Sequence, residues 1–122
     1  TAQYEVNKLS AELGNADVEL VRKELGTEFD MIVHEPDGIL EIGQAGHSKA
    51  SGIERLCASL GIAKEDTYAF GDSANDVEML EFVAHGIAMG NGTDVAKNAA
   101  EFVTTDIHKD GIWNGLKHYG LI

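Results

Sequence analysis

The sequence has a single cysteine and a single proline in 122 residues. Because Cys57 is alone, no intramolecular disulfide can form. Cys57 has helical spacing to neighbouring apolar residues, which indicates a small buried hydrophobe rather than a reactive thiol. Basic residues are also scarce, since nine Lys and Arg stand against 21 Asp and Glu and the formal net charge is −12. That charge repels a phosphate backbone, so we expect no nucleic-acid partner.

The sequence also lacks a long apolar run. No stretch approaches the roughly 18 residues that a membrane-spanning helix needs, and the first residues do not resemble a signal peptide. We therefore expect a cytoplasmic protein with no membrane partner. Hydrophobic residues make up 43% and charged residues 25% of the chain, a globular balance that can build one modest core.

The first part of the chain predicts a helix followed by short strands. Tyr4, Leu9 and Leu13 have helical spacing, and Gly14-Asn15 is typical of a helix end. Pro36-Asp37-Gly38 is a turn signal that favours an antiparallel hairpin between the strands on either side. The predicted strands are Val18–Arg22, Phe29–His34 and Ile39–Ile42.

The second part predicts helices that alternate with strands. Ser48 can cap a helix that runs to Leu60 and ends at Gly61. We expect one apolar stripe of this helix to face inward: Ile53, Leu56, Cys57 and Leu60. The further predicted strands are Thr67–Phe70, Gly86–Met89 and Phe102–Thr104, and the further helices are Asn75–Ala84, Thr93–Ala100 and Ile112–Tyr119. This alternation favours a parallel sheet with crossover helices.

The change of rhythm near Ala45-Gly46 predicts two domains, residues 1–45 and residues 46–122. The first would combine a helix with short antiparallel strands, and the second would be a parallel-stranded α/β unit. Gly43 and Gly52 lie on either side of the boundary, where glycines can form a hinge.

Polar residues follow the predicted strands at one edge of the parallel sheet. In an open α/β sheet, ligands bind at the carboxyl ends of the strands, and the crossover helices begin at that same edge. Topology therefore brings together one cation, two carboxylates and two amides from separate loops: Lys49, Asp72, Asp76, Asn75 and Asn91.

Each of these residues has a functional and a plainer interpretation. A carboxylate directly after a strand, as at Asp72, is a hard oxygen ligand that suits Mg²⁺, but Asp, Ser and Asn are also ordinary helix caps. Lys49 opposes the dipole of the helix that it starts, so it is either an anion ligand or a solvated surface lysine. Asn91, between two glycines, is most simply a turn residue with positive φ.

Five segments resemble motifs of the haloacid dehalogenase phosphatases, in the same order. That family's fourth motif, GDxxNDxxML, is similar to residues 71–80, and its lysine-bearing third motif is similar to residues 48–52. The other resemblances are residues 86–92 to the GxAMGNA loop, residues 99–104 to the AAxxVT strand and residues 110–112 to the closing DGV turn. The ordered set is most similar to the Cof-like, or type IIB, sugar-phosphate phosphatases.

The resemblance implies a fold and a set of roles. The fold would be α/β, the C-terminal half of a Rossmann-like core with parallel strands, preceded by part of an α/β cap. Asp72 and Asp76 would form the Mg²⁺ site, with Asp72 as ligand and Asp76 supporting it. Lys49 would neutralise the transferring phosphoryl group, and Asn75 and Asn91 would contact phosphate or orient a neighbour. Two close carboxylates without a cation should repel each other and raise an apparent pKa.

The family's first motif, DxDGT, and its second motif, a Ser or Thr, have no counterpart here. The Asp-Gly pairs at residues 37–38 and 110–111 do not follow a buried strand with DxD spacing. Covalent phosphoryl transfer needs a nucleophile in line with the leaving oxygen. We therefore expect the chain to be a C-terminal fragment of a Mg²⁺-dependent phosphatase and to be inactive alone. The fragment would be either a truncated gene product or a chain made to begin inside the cap. The parent would hydrolyse a small phosphorylated metabolite such as a sugar phosphate through an aspartyl-phosphate.

Two other hypotheses stay open. The chain is a non-catalytic binding or interaction module that keeps the fold, or a receiver-like doubly wound domain that matches the motifs by chance. In the family fold, the nucleophile strand would pair with Thr67–Phe70. Its absence predicts an apolar sheet edge and self-association through that edge.

Overall fold

The computed structural model describes residues 7–14, 17–34 and 38–122. The chain divides after His47 into two compact units. Within the described ranges, no helix is both long and apolar enough to cross a membrane.

The first unit contains a three-stranded antiparallel sheet and one helix. Its elements are β1 (Lys8–Glu12), α1 (Val18–Leu25), β2 (Phe29–His34) and β3 (Ile39–Gln44). The strand order is β1-β3-β2, and β3 pairs antiparallel with both neighbours. The predicted hairpin of β2 and β3 is confirmed, whereas the Pro36-Asp37 part of its turn lies outside the described residues.

Strand β1 replaces the predicted first helix. Leu9, which is predicted to belong to a helical stripe, lies in β1 opposite Ile42 of β3. Tyr4, the first residue of that stripe, lies outside the described residues. The prediction is wrong because pairing with a strand distant in sequence decides the conformation, which local spacing does not show.

Helix α1 replaces the predicted strand at Val18–Arg22. The Asp17 carboxylate accepts the N–H of Glu19 at 3.0 Å and that of Leu20 at 3.3 Å, which caps the helix. Gly26 ends it with a φ of 65°. The β propensity of Val18 and Val21 favours the predicted strand. Capping at both ends of the segment outweighs this propensity, so the segment is helical.

The second unit contains a parallel three-stranded sheet with crossover helices. Its strands, in spatial order, are β4 (Tyr68–Gly71), β5 (His85–Ala88) and β6 (Phe102–Val103). Its helices are α2 (Lys49–Leu60), α3 (Val77–Phe82), α4 (Asp94–Ala99) and α5 (Gly111–His118), and short 3-10 helices occupy Lys64–Asp66, Ala74–Asp76 and Ile107–Lys109. The predicted parallel sheet is confirmed.

The core of the second unit surrounds β5. Ile87 and Ala88 on this central strand are fully buried, as is Ala96 on α4, and Leu80 on α3 is nearly so. Helix α3 contacts β4 and β5, and α4 contacts β5. This packing fixes the carboxyl ends of β4 and β5 side by side, where the candidate site residues follow.

Helix α2 is less buried than its sequence predicts. Ser48 caps it as predicted, since its Oγ accepts the Ser51 N–H at 3.2 Å, and Gly61 ends it with a φ of 67°. Leu56 and Leu60 are 57% and 63% exposed, so the predicted inward stripe is wrong at these positions. Helix α2 contacts α3, and Leu56 and Leu60 lie on a side of α2 that this contact does not cover.

Strand β4 forms one edge of the described sheet. It pairs with β5 on one side, from Tyr68 opposite His85 to Gly71 opposite Ala88. No strand of the described residues pairs with its other side. The unpaired N–H and C=O groups of such an edge can accept another strand.

Aromatic and ionisable side chains gather at the edge where these strands begin. The Tyr68 and His85 rings stack with centroids 4.5 Å apart, and the Tyr119 ring lies 4.8 Å from that of His85. Glu101 Oε2 lies 2.9 Å from His85 Nδ1 and accepts the Tyr119 hydroxyl at 2.9 Å. These four residues, here called the amino-edge cluster, tie the end of α5 to the sheet.

Candidate active site

Lys49 and Asp76 form an ion pair at the carboxyl edge of the parallel sheet. Lys49 is the first residue of α2, and Asp76 ends the 3-10 helix that follows β4. The Lys49 Nζ and Asp76 Oδ1 atoms are 2.5 Å apart. The Lys49 side chain is half exposed, whereas the Asp76 side chain is buried. The structure thus brings together two residues that the sequence predicts for the site.

Asp76 also organises the loop between β4 and α3. Its Oδ2 accepts the N–H of Asp72 at 2.9 Å and that of Ser73 at 3.3 Å. A buried carboxylate is costly unless it is paired and hydrogen-bonded. Because both oxygens of Asp76 accept hydrogen bonds, this carboxylate supports the loop and holds Lys49 beside it.

The pKa of Asp76 lies below its ordinary value. Burial raises this pKa, but the hydrogen bonds from Lys49 and from the Asp72 and Ser73 N–H groups together outweigh burial. The raised pKa expected from repulsion between the two aspartates is therefore wrong for Asp76. The reason is that a cation in the chain already pairs with it.

Gly71 makes room for the Asp76 side chain. A Cβ atom at this position would lie 2.6 Å from the Asp76 Cβ and 3.0 Å from its Cγ. Any larger residue would push the carboxylate away from the Asp72 N–H. The end of β4 and the site are therefore linked by a close approach that only glycine allows.

Asp72 carries the exposed carboxylate of the site. It directly follows β4, and the hydrogen bonds that the described residues make to it involve its backbone. Its carbonyl oxygen accepts the Thr93 N–H at 2.8 Å and the Thr93 hydroxyl at 3.3 Å. Sequence reasoning did not single out Thr93. The available signal was a hydroxyl residue at the start of a predicted helix beside the site.

Asn75 is held within the loop after β4. The Ser73 hydroxyl donates to Asn75 Oδ1 at 2.6 Å. This bond engages the carbonyl oxygen of the Asn75 amide and leaves the amide nitrogen as the group that can donate to an anion.

Asn91 joins two other loops at the carboxyl edge. Its Oδ1 accepts the Ile107 N–H at 2.9 Å, and the neighbouring Gly90 N–H donates to the Thr105 carbonyl at 3.1 Å. Asn91 is a turn residue as predicted, since the Gly92 N–H donates to the Met89 carbonyl across it at 2.8 Å. Its predicted positive φ is wrong, because Asp110 is the one non-glycine residue of the described ranges with positive φ. Asn91 also fixes the loop between β5 and α4 against the segment after β6.

These residues fit one part of a Mg²⁺ site. Mg²⁺ binds through one or two carboxylates together with water and substrate phosphate oxygens, and Asp72 supplies one exposed carboxylate. No group of three or more His, Cys, Asp and Glu side chains in the described part of the chain could hold a metal ion. The loop after β4 therefore offers an incomplete set of ligands.

A protein-family model matches most of this chain. The model of the haloacid dehalogenase-like hydrolases matches residues 2–116. The chain belongs to this family. The predicted fold class is confirmed as well, since the α/β architecture with its parallel sheet matches Rossmann-like cores of haloacid dehalogenase (HAD) structures.

Two relatives of this HAD-family chain are named as phosphatases. The 5-amino-6-(5-phospho-D-ribitylamino)uracil phosphatase YitU of Bacillus subtilis (strain 168) is 42% identical over 84 residues, which cover 69% of this chain and 31% of YitU. The solved structure of the HAD subclass IIB sugar phosphatase BT4131 matches with a TM-score of 0.87 and 31% identity, over 98% of this chain and 45% of that one.

A third relative has no named activity. It is an uncharacterized protein encoded in the pdhA 5′ region of Geobacillus stearothermophilus. It is 54% identical over 78 residues, which cover 64% of this chain and 82% of that protein. The chain thus spans most of this relative but less than half of YitU and BT4131.

Proposed function

We propose that this chain carries the charge-stabilising half of a Mg²⁺-dependent phosphatase site. The observation that supports this most is the connected set of Lys49, Asp76 and Asp72 at the carboxyl edge of the sheet. Enzymes accelerate phosphoryl transfer mainly by positioning the reactants and by neutralising charge on the transferring group. A half-exposed cation beside an exposed carboxylate can contribute to both.

Each of these residues has one role in the proposal. Lys49 neutralises the phosphoryl oxygens and is kept in place by Asp76. Asp72 presents its carboxylate to the metal ion, and Asn75 donates an amide N–H to a phosphate oxygen. Asn91 acts through the loop that it fixes. A bound Mg²⁺ would supply positive charge to the same phosphate oxygens.

Hydrolysis also needs a nucleophile that these residues do not supply. No segment of the 122 residues has the DxDGT pattern that provides the nucleophilic aspartate in the family that this chain resembles. We therefore propose that the chain alone does not turn over phosphomonoesters. In a longer cytoplasmic enzyme it would complete a site that forms an aspartyl-phosphate.

The two units suggest a division of labour in that enzyme. In the proposal, the first unit is part of a cap domain and the second is the C-terminal part of the catalytic core. YitU is named for a phosphorylated ribitylaminouracil, and BT4131 is named as a sugar phosphatase. Both names indicate a phosphate on a polyhydroxylated carbon chain. We infer a small phosphomonoester of this chemical class as the substrate.

A non-catalytic binding module is the second candidate. One observation favours it: Lys49 and Asp76 already neutralise each other without a ligand. Such a module would keep the fold and bind a phosphorylated metabolite or a protein without turnover.

The unpaired edge of β4 suggests a partner strand in either case. We propose that isolated chains associate through this edge. Sedimentation over a range of concentrations tests this proposal. A mass that rises with concentration supports it, and a monomer mass at every concentration contradicts it.

Turnover of a generic phosphomonoester with Mg²⁺ distinguishes the two candidate functions. We expect no turnover by the chain and robust turnover by an N-terminally extended version that includes a DxDGT segment. In that version, Asp72→Asn should lower kcat on the order of 100-fold or more. Asp66→Asn is the matched control, because Asp66 is exposed and precedes β4 at the opposite edge.

Two outcomes would contradict the phosphatase proposal in different ways. Turnover by the chain alone that Asp72→Asn abolishes would mean that the nucleophile lies within these residues. An extended version that binds phosphate but never turns over would favour the binding module.

A further inference from the structure

Helix α4 is preceded by a threonine whose side chain does not cap it. Thr93 occupies the N-cap position, yet its hydroxyl makes no capping hydrogen bond to the helix. The hydroxyl donates instead to the carbonyl oxygen of Asp72, at 3.3 Å. The Thr93 N–H donates to the same oxygen, at 2.8 Å. Both donors of Thr93 therefore converge on the backbone of the residue that carries the exposed carboxylate.

Gly92 allows this contact to form. Its N–H donates to the Met89 carbonyl at 2.8 Å, which turns the loop back toward the end of β5. A Cβ atom at Gly92 would lie 2.9 Å from the Met89 carbonyl oxygen and 3.0 Å from that of Asp72. A side chain here would push the loop and the Asp72 backbone apart.

The other backbone group of Asp72 is held as well. Its N–H donates to the buried Oδ2 of Asp76, at 2.9 Å. The peptide groups on both sides of the Asp72 Cα are thus fixed, one by Asp76 and the other by Thr93. Metal and ligand sites work best when the residues that carry them are already ordered, because less conformational freedom is lost on binding.

We propose that Thr93 is a positioning residue that holds the Asp72 carbonyl, so that the Asp72 carboxylate is preorganised for a divalent cation. This inference rests on the function proposed above, since it takes Asp72 as the cation-binding carboxylate. It adds the loop between β5 and α4 to a site otherwise built from the loop after β4 and the start of α2. Asn91 anchors that loop to Ile107, so the position of Asp72 depends on the segment after β6 as well.

A purely structural role for the Thr93 hydroxyl makes a different prediction. If the hydroxyl only stabilised the fold, its loss would lower the free energy of unfolding and leave the cation affinity of the folded chain unchanged. If it positions Asp72, its loss weakens cation binding by a chain that is still folded. The Thr93 N–H bond remains in both cases and keeps the loop closed.

Three variants of the full chain separate these roles. Thr93→Val keeps the side-chain shape but removes the hydroxyl, and Thr93→Ser keeps the hydroxyl. Thr67→Val is the matched control, because the Thr67 hydroxyl also donates to a backbone carbonyl, that of Lys64 at 2.5 Å, but lies at the opposite edge of the sheet. Each protein is titrated with Mg²⁺ while NMR follows the amide shifts of residues 71–77. Hydrogen exchange of the residue 93 N–H is measured without metal.

We expect Thr93→Val to raise the apparent Kd for Mg²⁺ about threefold to tenfold, since support for a metal ligand is lost. Thr93→Ser and Thr67→Val should stay within about twofold of the wild type. Exchange of the residue 93 N–H should become faster in Thr93→Val, because the carbonyl that it bonds is held by one donor instead of two.

Equal Mg²⁺ affinities of the wild type and Thr93→Val would overturn the role of Thr93 and leave the proposed function standing. An equally large effect of Thr67→Val would also overturn it, because the loss would then be general. If the wild-type chain shows no Mg²⁺-dependent shifts at residues 71–77, the proposed cation site and the role of Thr93 are both wrong.

Discussion

Each edge of the parallel sheet has one carboxylate that gathers hydrogen bonds, and the two carboxylates differ in burial. At the carboxyl edge, the Asp76 side chain is 6% exposed and accepts from Lys49 and two backbone N–H groups. At the amino edge, the Glu101 side chain is 55% exposed and is bonded by His85 and Tyr119. The pKa of each carboxyl lies below its ordinary value, for Glu101 because of the bonds from His85 and then Tyr119.

Because they differ in burial, the two hydrogen-bonded carboxylates are expected to contribute differently to stability. The Asp76 carboxylate is shielded from water, so loss of one of its hydrogen bonds would leave a charge or an N–H donor unsatisfied. The shape of the loop after β4 depends on these hydrogen bonds. Glu101 stays hydrated, so solvent and salt screen its pair with His85. The candidate site is thus supported by a buried, hydrogen-bonded carboxylate, whereas the amino-edge cluster holds the end of α5 at the surface.

Removing the buried charge should have the largest effect. Asp76→Asn leaves Lys49 without a counter-charge and weakens the bonds to the loop N–H groups, so we expect a loss of about 2 kcal/mol in the free energy of unfolding. Urea denaturation at neutral pH measures this loss, with Glu101→Gln as the control at the exposed carboxylate. Equal losses in the two variants would contradict the role assigned to burial.

Acid should remove the same contribution. The pKa of Asp76 is lowered in the folded chain, so its stabilisation is complete above the ordinary value of 3.8 and is lost as the pH falls through the lower folded-state value. The stability difference between the wild type and Asp76→Asn should stay constant between about pH 7 and about pH 5. Below pH 3.8 it should shrink. A difference that disappears at about pH 6 would show that the Asp76 pKa is not lowered.

A smaller effect is expected on Tyr119 at the other edge. Burial, and then Glu101, raises the pKa of the Tyr119 phenol to about 12. Glu101→Gln should lower this pKa but leave it above the ordinary value of 10.0, because burial remains. Carbon-13 NMR of the tyrosine rings follows the titration, and Tyr119→Phe assigns the signal. If the Tyr119 pKa is unchanged in Glu101→Gln, the hydrogen bond from Tyr119 to Glu101 does not contribute to that pKa.

The smallest effect concerns salt. Raising the ionic strength should leave the loss caused by Asp76→Asn nearly unchanged, because the carboxylate is buried. Any loss caused by Glu101→Gln should disappear, because that pair is exposed. Urea denaturation of both variants at low and high salt measures this. Parallel responses to salt would remove the distinction between the two carboxylates.

The second unit follows from its sequence more closely than the first, for a physical reason. Its strands are short apolar runs between turn residues, and its helices have local caps such as Ser48. In the first unit, Leu9 and Ala11 of β1 lie opposite Ile42 and Leu40 of β3. That pairing depends on residues distant in sequence, so no local pattern near Leu9 predicts it.

The place of the candidate site could be predicted, but its internal contacts could not. Strand ends and helix starts share one edge of a parallel sheet, which brings Lys49, Asp72 and Asp76 together. The contact of Asp76 with the Asp72 N–H and that of Thr93 with the Asp72 carbonyl involve the backbone, and residue types at a given spacing do not specify them. The expectation of a raised pKa failed because it considered the two carboxylates without Lys49.

The most direct test of whether Asp72 is the cation-binding carboxylate of the candidate site is a Mg²⁺ titration. The wild-type chain is compared with Asp72→Asn and with the control Asp66→Asn. Amide shifts followed by NMR report where the cation binds. We predict Mg²⁺-dependent shifts at residues 71–77 in the wild type and in Asp66→Asn, and none in Asp72→Asn. Equal shifts in Asp72→Asn, or shifts concentrated elsewhere in the wild type, would contradict that assignment.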